Sequence, residues 1–206
     1  VHEPMAAALG IGIDVEEPVG NMIIDIGGGT TGITVIALAG IVCDQSIRIA
    51  GDEFTADIME ALRRYHSLLI GERTAEQIKI HVGAATKDLE NPPEDIPVNG
   101  RDLVTGIPKQ IMVSYQEIAE ALDKSIFKIE EAILKALETT PPELAADIYK
   151  RGLYLTGGGA LLRGLDKRLS AKIKLPVHVA DDPLKSVVRG TGIALKNYQR
   201  FPFIMR

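Results

Sequence analysis

The strongest constraint on this chain is a run of three glycines set between two apolar segments, Asp25-Ile26-Gly27-Gly28-Gly29-Thr30-Thr31. Met22, Ile23, Ile24 and Ile26 lead into it, and Ile33, Val35, Ile36 and Leu38 lead out. Both flanks are short and rich in β-branched residues, which predicts strand–turn–strand. A tight hairpin closes with one glycine, and each further one costs backbone entropy. Three in a row make sense where another group must come close, because bare amides converge on an anion that a Cβ would obstruct. Asp25 stands at the strand end, placed to orient a hydrated cation, and Thr30 and Thr31 add hydroxyls. Together these residues read as a metal–phosphate grip; taken alone, an ordinary hairpin with surplus glycine is the alternative.

A second glycine run weighs against that alternative. Leu153-Tyr154-Leu155-Thr156-Gly157-Gly158-Gly159-Ala160-Leu161-Leu162 reads as a strand, a glycine turn and then a helix. In that arrangement a nucleotide lies against bare backbone at a helix start.

The 206 residues, 46% of them hydrophobic, suffice for a sizeable core, as one domain with an insertion or as two domains. A net charge of −5 with no basic stripe argues against a nucleic-acid partner. The lone Cys43 excludes an internal disulfide and fits a reducing compartment. No apolar run approaches the roughly 20 residues of a membrane span, and no signal peptide opens the chain. Instead it begins without methionine, directly on a helical pattern with Pro4 suited to a first turn. It reads as a piece of a longer protein.

In chain order the expectation is a short helix over 3–10 closed by Gly10 and Gly12, then an acidic loop to Asn21. Strands follow at 21–26, 32–39 and 41–49, with Gly40 at the second turn, and then a helix over 51–65. Between 67 and 114 the texture changes. Thr74 is the expected cap of a helix running to His81. After an Asn91–Asp95 loop, short strands are expected at Ile96–Asn99, Asp102–Gly106 and Lys109–Val113. Ser114 and Glu117 form a capping box for a long helix with apolar residues at 118, 122, 126, 129, 133 and 137. That stripe is expected to bury against the body, with a coiled-coil seam as the other arrangement. Thr140-Pro141-Pro142 ends it. A helix at 143–150, a strand at 153–156, a helix at 161–172, a strand at 177–179 and a helix at 186–198 complete the series.

With 52–114 set aside as a small α/β insertion, the remaining unit, 1–51 with 115–206, has the order βββαβαβα. This is the ribonuclease-H-like topology, a mixed sheet with helices on both faces. Nucleases of that topology need several carboxylates at strand ends to hold two metals. Here only Asp25 stands at such a position and glycines hold the others, which suits phosphate binding.

Asp25–Thr30 resembles the second phosphate motif of the actin-like ATPases, and Leu155–Ala160 resembles their adenosine motif. Glu3-Pro-Met-Ala-Ala-Ala8, Leu69-Ile-Gly-Glu-Arg-Thr-Ala-Glu76 and Gly157-Gly-Gly-Ala-Leu-Leu162 are similar to stretches of the MreB family of bacterial actin homologues, and the similarity runs along essentially the whole chain. Gly32 departs from the family, which often carries a charged residue there.

The resemblance implies an actin-type ATPase fold of which this chain is the second half. The first phosphate motif and the membrane-binding segments belong to the missing half, so membrane contact is expected only through that half. It further implies that Asp25 acts on Mg2+ through a water, and that Gly27, Gly28, Gly29, Thr30 and Thr31 hold the β- and γ-phosphates of ATP. Glu3, with Thr30, would position the attacking water; read from residues alone, Glu3 is a helix-entry charge. Glu76 and Lys79 would reach the ribose and adenine, where residues alone suggest an exposed helical pair. Gly157, Gly158, Gly159 and Leu161 would pack around the adenosine.

Expected partners are further copies of itself in a filament and the proteins of cell-wall synthesis, at the inner face of the cell membrane, with no nucleic acid. The intact protein is expected to hydrolyse ATP slowly and the fragment to be inactive. The rivals are a sugar or acetate kinase and a DnaK-type chaperone of the same superfamily. The chain's end just after its closing helix speaks against the chaperone.

Other chemistry is poorly supported. His2, His66, His81 and His178 lack ligand spacing, Ser46, Ser67 and Ser125 lack a nucleophile-elbow context, and Asp181-Asp182-Pro183 reads as a turn. The apolar, basic tail Arg200–Arg206 either packs on the body or touches a neighbour.

Overall fold

A computed structural model describes residues 2–201. Three strands meander antiparallel: β1 (Asn21–Ile26), β2 (Thr31–Ala37) and β3 (Gly40–Ile47). β7 (Leu153–Thr156) then pairs parallel with the free side of β1, and β8 (Val177–Val179) pairs parallel with β7. The sheet order is β3-β2-β1-β7-β8. β1 lies at its centre and is covered on both faces, so its run Met22–Ile24 is continuously apolar and buried; β3 lies at the edge and alternates. This is the mixed α/β sheet expected of the actin-type fold.

The β2–β3 turn differs from expectation. Its left-handed residues are Leu38 (φ 50°) and Ala39 (φ 59°), while Gly40 opens β3. Two amides hold the turn in place, Leu38 N donating to Glu17 O at 3.0 Å and Ala39 N to Val15 O at 2.6 Å.

The remaining elements between β3 and β7 begin with α2 (Gly51–His66), β4 (Leu68–Leu69) and α3 (Glu72–Val82). β5 (Ile96–Asp102), β6 (Pro108–Val113), α4 (Tyr115–Thr139) and α5 (Pro142–Arg151) follow. A second sheet runs β4-β5-β6. The strand expected at Asp102–Gly106 is instead a hairpin turn: Asp102 Oδ1 accepts from Val104 N at 2.7 Å and Thr105 N at 3.0 Å, and Gly106 takes φ +77°. Its place as third strand falls to Leu68–Leu69. α3 starts one turn before Thr74, on Gly71, and Thr74 lies inside the helix. The Ser114 capping box is half formed. Ser114 Oγ accepts from Glu117 N at 3.3 Å, but the Glu117 carboxylate reaches His66 Nε2 at 2.6 Å instead of turning back.

One apolar cluster runs from Met22, Ile24 and Ile33 of the first sheet through Phe54, Ile58 and Leu62 of α2 to Ile78, Val98 and the α4 stripe. Ile118, Leu122, Ile126, Ile129 and Ile133 are all fully buried, each such burial stabilising by about 1.5–3 kcal/mol. This stripe is taken up by the body of the molecule and is not open as a coiled-coil seam. Glu130, 3% exposed within that stripe, is neutralised by Arg168 at 2.6 Å. Arg168 belongs to α6 (Leu165–Ile173), which starts later than expected because a short 3-10 turn, Gly158–Leu161, precedes it.

The opposite face of the sheet is covered by α1 (Glu3–Gly10) and α7 (Ser186–Lys196), packed over Ile23 and Ile36. They cross backbone to backbone: a Cβ on Gly190 would lie 1.6 Å from Ala6 O. α7 ends at Lys196, two residues short of expectation. Of the tail, Phe201 is buried against α1 and Arg200 pairs with Glu16 at 2.7 Å, so this part packs on the body. Residues 202–206 of the predicted tail lie outside the described residues. Among the described residues no helix is long and apolar enough to cross a membrane.

Candidate functional site

The glycine loop after β1 is closed by Gly27 N donating to Thr30 O at 3.0 Å. Its carbonyls are tied back to the start of α2, Gly51 N donating to Gly27 O at 3.1 Å and Asp52 N to Gly28 O at 2.7 Å. Among the described residues, the amides of Gly28, Gly29 and Thr30 donate to no protein group, and all three residues are exposed. A row of unpaired amides on a loop fixed from behind is an anion cradle. Thr31 is not part of its surface: it is fully buried, and its hydroxyl donates to Ile49 O at 2.6 Å. In this structure Thr31 pins the loop from inside, against the expectation that it faces the phosphates, while Thr30 is exposed.

The second glycine run is brought against the first by the parallel pairing of β1 and β7, in which Asp25 lies opposite Thr156. Gly157 follows at φ +80°, where a Cβ would stand 2.4 Å from Asp25 Oδ1 and 2.4 Å from Ile26 O. A Cβ on Gly159 would stand 2.2 Å from Ile26 Cγ2. Gly158 and Leu161, which is 55% exposed, present the open side of the 3-10 turn. Because α6 begins only at Leu165, the glycines meet this short turn and not a long helix start.

Glu3, exposed in the first turn of α1, lines one cavity of about 220 Å³ with Asp25, Gly27 and Thr30. Gly32, Thr34, Asp44 and Ser46 also line it, and among the described residues no lysine or arginine does. Burial first, and then the charge of Glu3, push the Asp25 carboxyl up to about 6. Three carboxylates, Glu3, Asp25 and Asp44, on one cavity without a lysine or arginine in its lining suit a divalent ion. Among the described residues no three His, Cys, Asp or Glu side chains gather as a metal cage. An ion here would therefore complete its shell with water and phosphate oxygens, the habit of magnesium.

Glu76 and Lys79 arrive from α3. Lys79 Nζ lies 2.6 Å from Glu76 Oε2 and donates to Gly51 O at 2.8 Å and Thr55 Oγ1 at 3.1 Å. Thr55 Oγ1 lies 2.9 Å from Glu76 Oε2. Burial alone would raise the Glu76 carboxyl, but hydrogen bonds from Lys79 and Thr55 and the Lys79 charge outweigh it and hold it below its ordinary range. The pair is thus one residue removed from the phosphate loop, through Gly51. Gly51 and Thr55, expected only as residues of a helix over 51–65, are the contacts through which the pair reaches the loop.

A family model described as MreB/Mbl protein matches residues 1–202. The cell shape-determining protein Mbl of Bacillus subtilis is 48% identical over 201 residues, covering 98% of this chain and 60% of that protein. The cell shape-determining protein MreB of Escherichia coli K12 is 49% identical over 196 residues, covering 95% of this chain and 56% of its own length. The crystal structure of MreB5 of Spiroplasma citri bound to ADP superposes with a TM-score of 0.93 at 40% identity, covering 97% of this chain and 60% of that one. The chain spans about three-fifths of the length of these relatives. By its sequence along nearly its whole length, and by its fold, the chain belongs to the MreB/Mbl family.

Proposed function

We propose that this chain forms one wall of the nucleotide cleft of a filament-forming, actin-like ATPase, and that the intact protein determines cell shape by organising cell-wall synthesis at the inner face of the membrane. The observation that carries the reading is the seating of Gly157 on Asp25, which joins the two glycine runs into one site. A relative of the same fold bound to ADP supports it, and family membership favours it over a kinase or a chaperone.

In this reading the amides of Gly28, Gly29 and Thr30, with Gly27 closing the loop, hold the β- and γ-phosphates. Glu3 and the Thr30 hydroxyl orient a water for in-line attack on the γ-phosphorus; the P–O bond to the β-phosphate breaks and ADP leaves. Catalysis then rests on positioning and charge stabilisation. Asp25 would hold magnesium through a water, and the charge such an ion supplies would offset that of the phosphates. Glu76 and Lys79 meet the ribose and adenine, and Gly157, Gly158, Gly159 and Leu161 flank the adenosine. The other wall of the cleft and any membrane contact come from the remaining part of the intact protein. The isolated chain therefore turns over no ATP at a useful rate.

The test is negative-stain electron microscopy of the intact protein with magnesium and ATP, beside the Glu3→Ala variant. Filaments, with slower phosphate release in the variant, are the expected result. Dispersed particles that pass phosphate to an added sugar would overturn it.

A further inference from the structure

Among the buried hydroxyls that the nucleotide reading leaves without a role, Thr55 is bonded to both Glu76 and Lys79. Thr55, 8% exposed in the second turn of α2, contacts both members of the directly paired Lys79 ammonium and Glu76 carboxylate, and also lies 3.0 Å from Gly51 O. A hydroxyl has one proton to give and lone pairs to accept with. Lys79 already donates to Gly51 O at 2.8 Å, and an ammonium can only donate. The hydroxyl therefore accepts from Lys79 and sends its proton to Glu76, the charge-assisted and stronger partner. A threonine bonded only to the carbonyl four residues back is ordinary helix behaviour. Here two charged groups from a different helix converge on it as well.

The placement matters because the first turn of α2 is also the back support of the glycine loop, through Gly51 N to Gly27 O and Asp52 N to Gly28 O. One turn of helix thus holds the loop on one side and the Glu76–Lys79 pair on the other. Half of the Glu76 side chain, 48%, stays exposed for a ligand while Lys79 is 16% exposed.

We infer that Thr55 is a positioning residue of the nucleotide site, whose hydroxyl sets the Glu76–Lys79 pair in register with the glycine loop so that the ribose end and the phosphate end of one nucleotide are met together. This rests on the reading of Glu76 and Lys79 as ribose and adenine contacts.

The experiment titrates the intact protein, in magnesium, with ATP and with inorganic tripolyphosphate, which has no ribose. Thr55→Val keeps the shape and loses the hydroxyl. It is expected to raise the ATP dissociation constant about tenfold, as for a lost hydrogen bond to a charged group, and to leave tripolyphosphate binding within about twofold. Thr55→Ser restores ATP binding. If the valine variant binds ATP like the wild type while Glu76→Gln weakens it, the positioning role is wrong and the ribose reading stands. Equal losses for ATP and tripolyphosphate would also overturn it, because Thr55 would then act on the loop as a whole. An ineffective Glu76→Gln would overturn the ribose reading and this inference with it.

Discussion

Gly157 lies against the Asp25 carboxylate so closely that a Cβ would stand 2.4 Å from its Oδ1, at a backbone φ of +80° that disfavours any side chain. Gly157→Ala therefore meets two obstacles at once, and each sparsely populated backbone conformation costs about 1–3 kcal/mol. The variant is expected to lower the unfolding midpoint and to lose nucleotide affinity. Gly28→Ala, whose Cβ would meet nothing closer than an Asp52 oxygen at 3.6 Å, should leave stability nearly unchanged. Thermal unfolding and nucleotide titration of both variants check the contrast.

Asp25 also makes stability depend on pH. Its carboxyl titrates near 6 in the folded chain against 3.8 for the free group, so the folded state binds more protons between those values. Stability then falls as pH rises from about 4 to 6, the sign opposite to that of a salt-bridged carboxylate. With partial exposure discounting the shift, the loss is about 1–2 kcal/mol. Asp25→Asn should flatten that slope and stabilise the ligand-free chain at neutral pH while weakening magnesium-dependent nucleotide binding. Urea denaturation across pH 4–8 measures the first part and nucleotide titration the second.

Among the described residues, Glu130 is the most buried carboxylate held in an ion pair, with Arg168. Glu130 is 3% exposed, and Arg168 also reaches Asp123 at 2.8 Å and Ala85 O at 3.0 Å. Glu130→Ala removes the buried partner of Arg168 while Asp123 keeps part of its charge compensated, and is expected to cost about 1–3 kcal/mol. Lys87→Ala, which breaks a pair more than half exposed on both sides, should cost less than about 1 kcal/mol. Denaturant midpoints of the two variants would show whether burial, and not pair count, decides.

The β2–β3 turn is a place where stability can be gained. Leu38 and Ala39 occupy left-handed conformations that Asn and Gly adopt at little cost. Leu38→Asn with Ala39→Gly is expected to stabilise the chain by about 1 kcal/mol and to remove an exposed leucine. A higher urea midpoint with unchanged slope would bear this out.

Much of the architecture is legible in local pattern. The β-branched runs flanking Gly27–Gly29 read as strands, and the three-and-four spacing from Ile118 to Leu137 reads as one buried helix, because both periods are written within single elements. What escaped was set by neighbours distant in sequence. Leu68–Leu69 is too short to carry a period and is a strand only because Asp102 and Arg101 pair with it. Leu103, Val104 and Ile107 are apolar enough for a strand, yet the Asp102 side chain folds them into a turn.

The site divides along the same line. The sequence by itself determined the two glycine runs, the strand-end Asp25 and the residue types of a phosphate cradle, because glycine's conformational freedom and a carboxylate's charge are properties of single residues. Only the tertiary structure decided that Gly157 seats on Asp25, that Thr31 turns inward, and that the Thr55 hydroxyl bonds both Glu76 and Lys79. Those facts depend on the parallel pairing of β1 with β7 and on α3 packing beside α2. Such close approaches arise when a shared core draws separate elements together, and no single stretch of residues contains them.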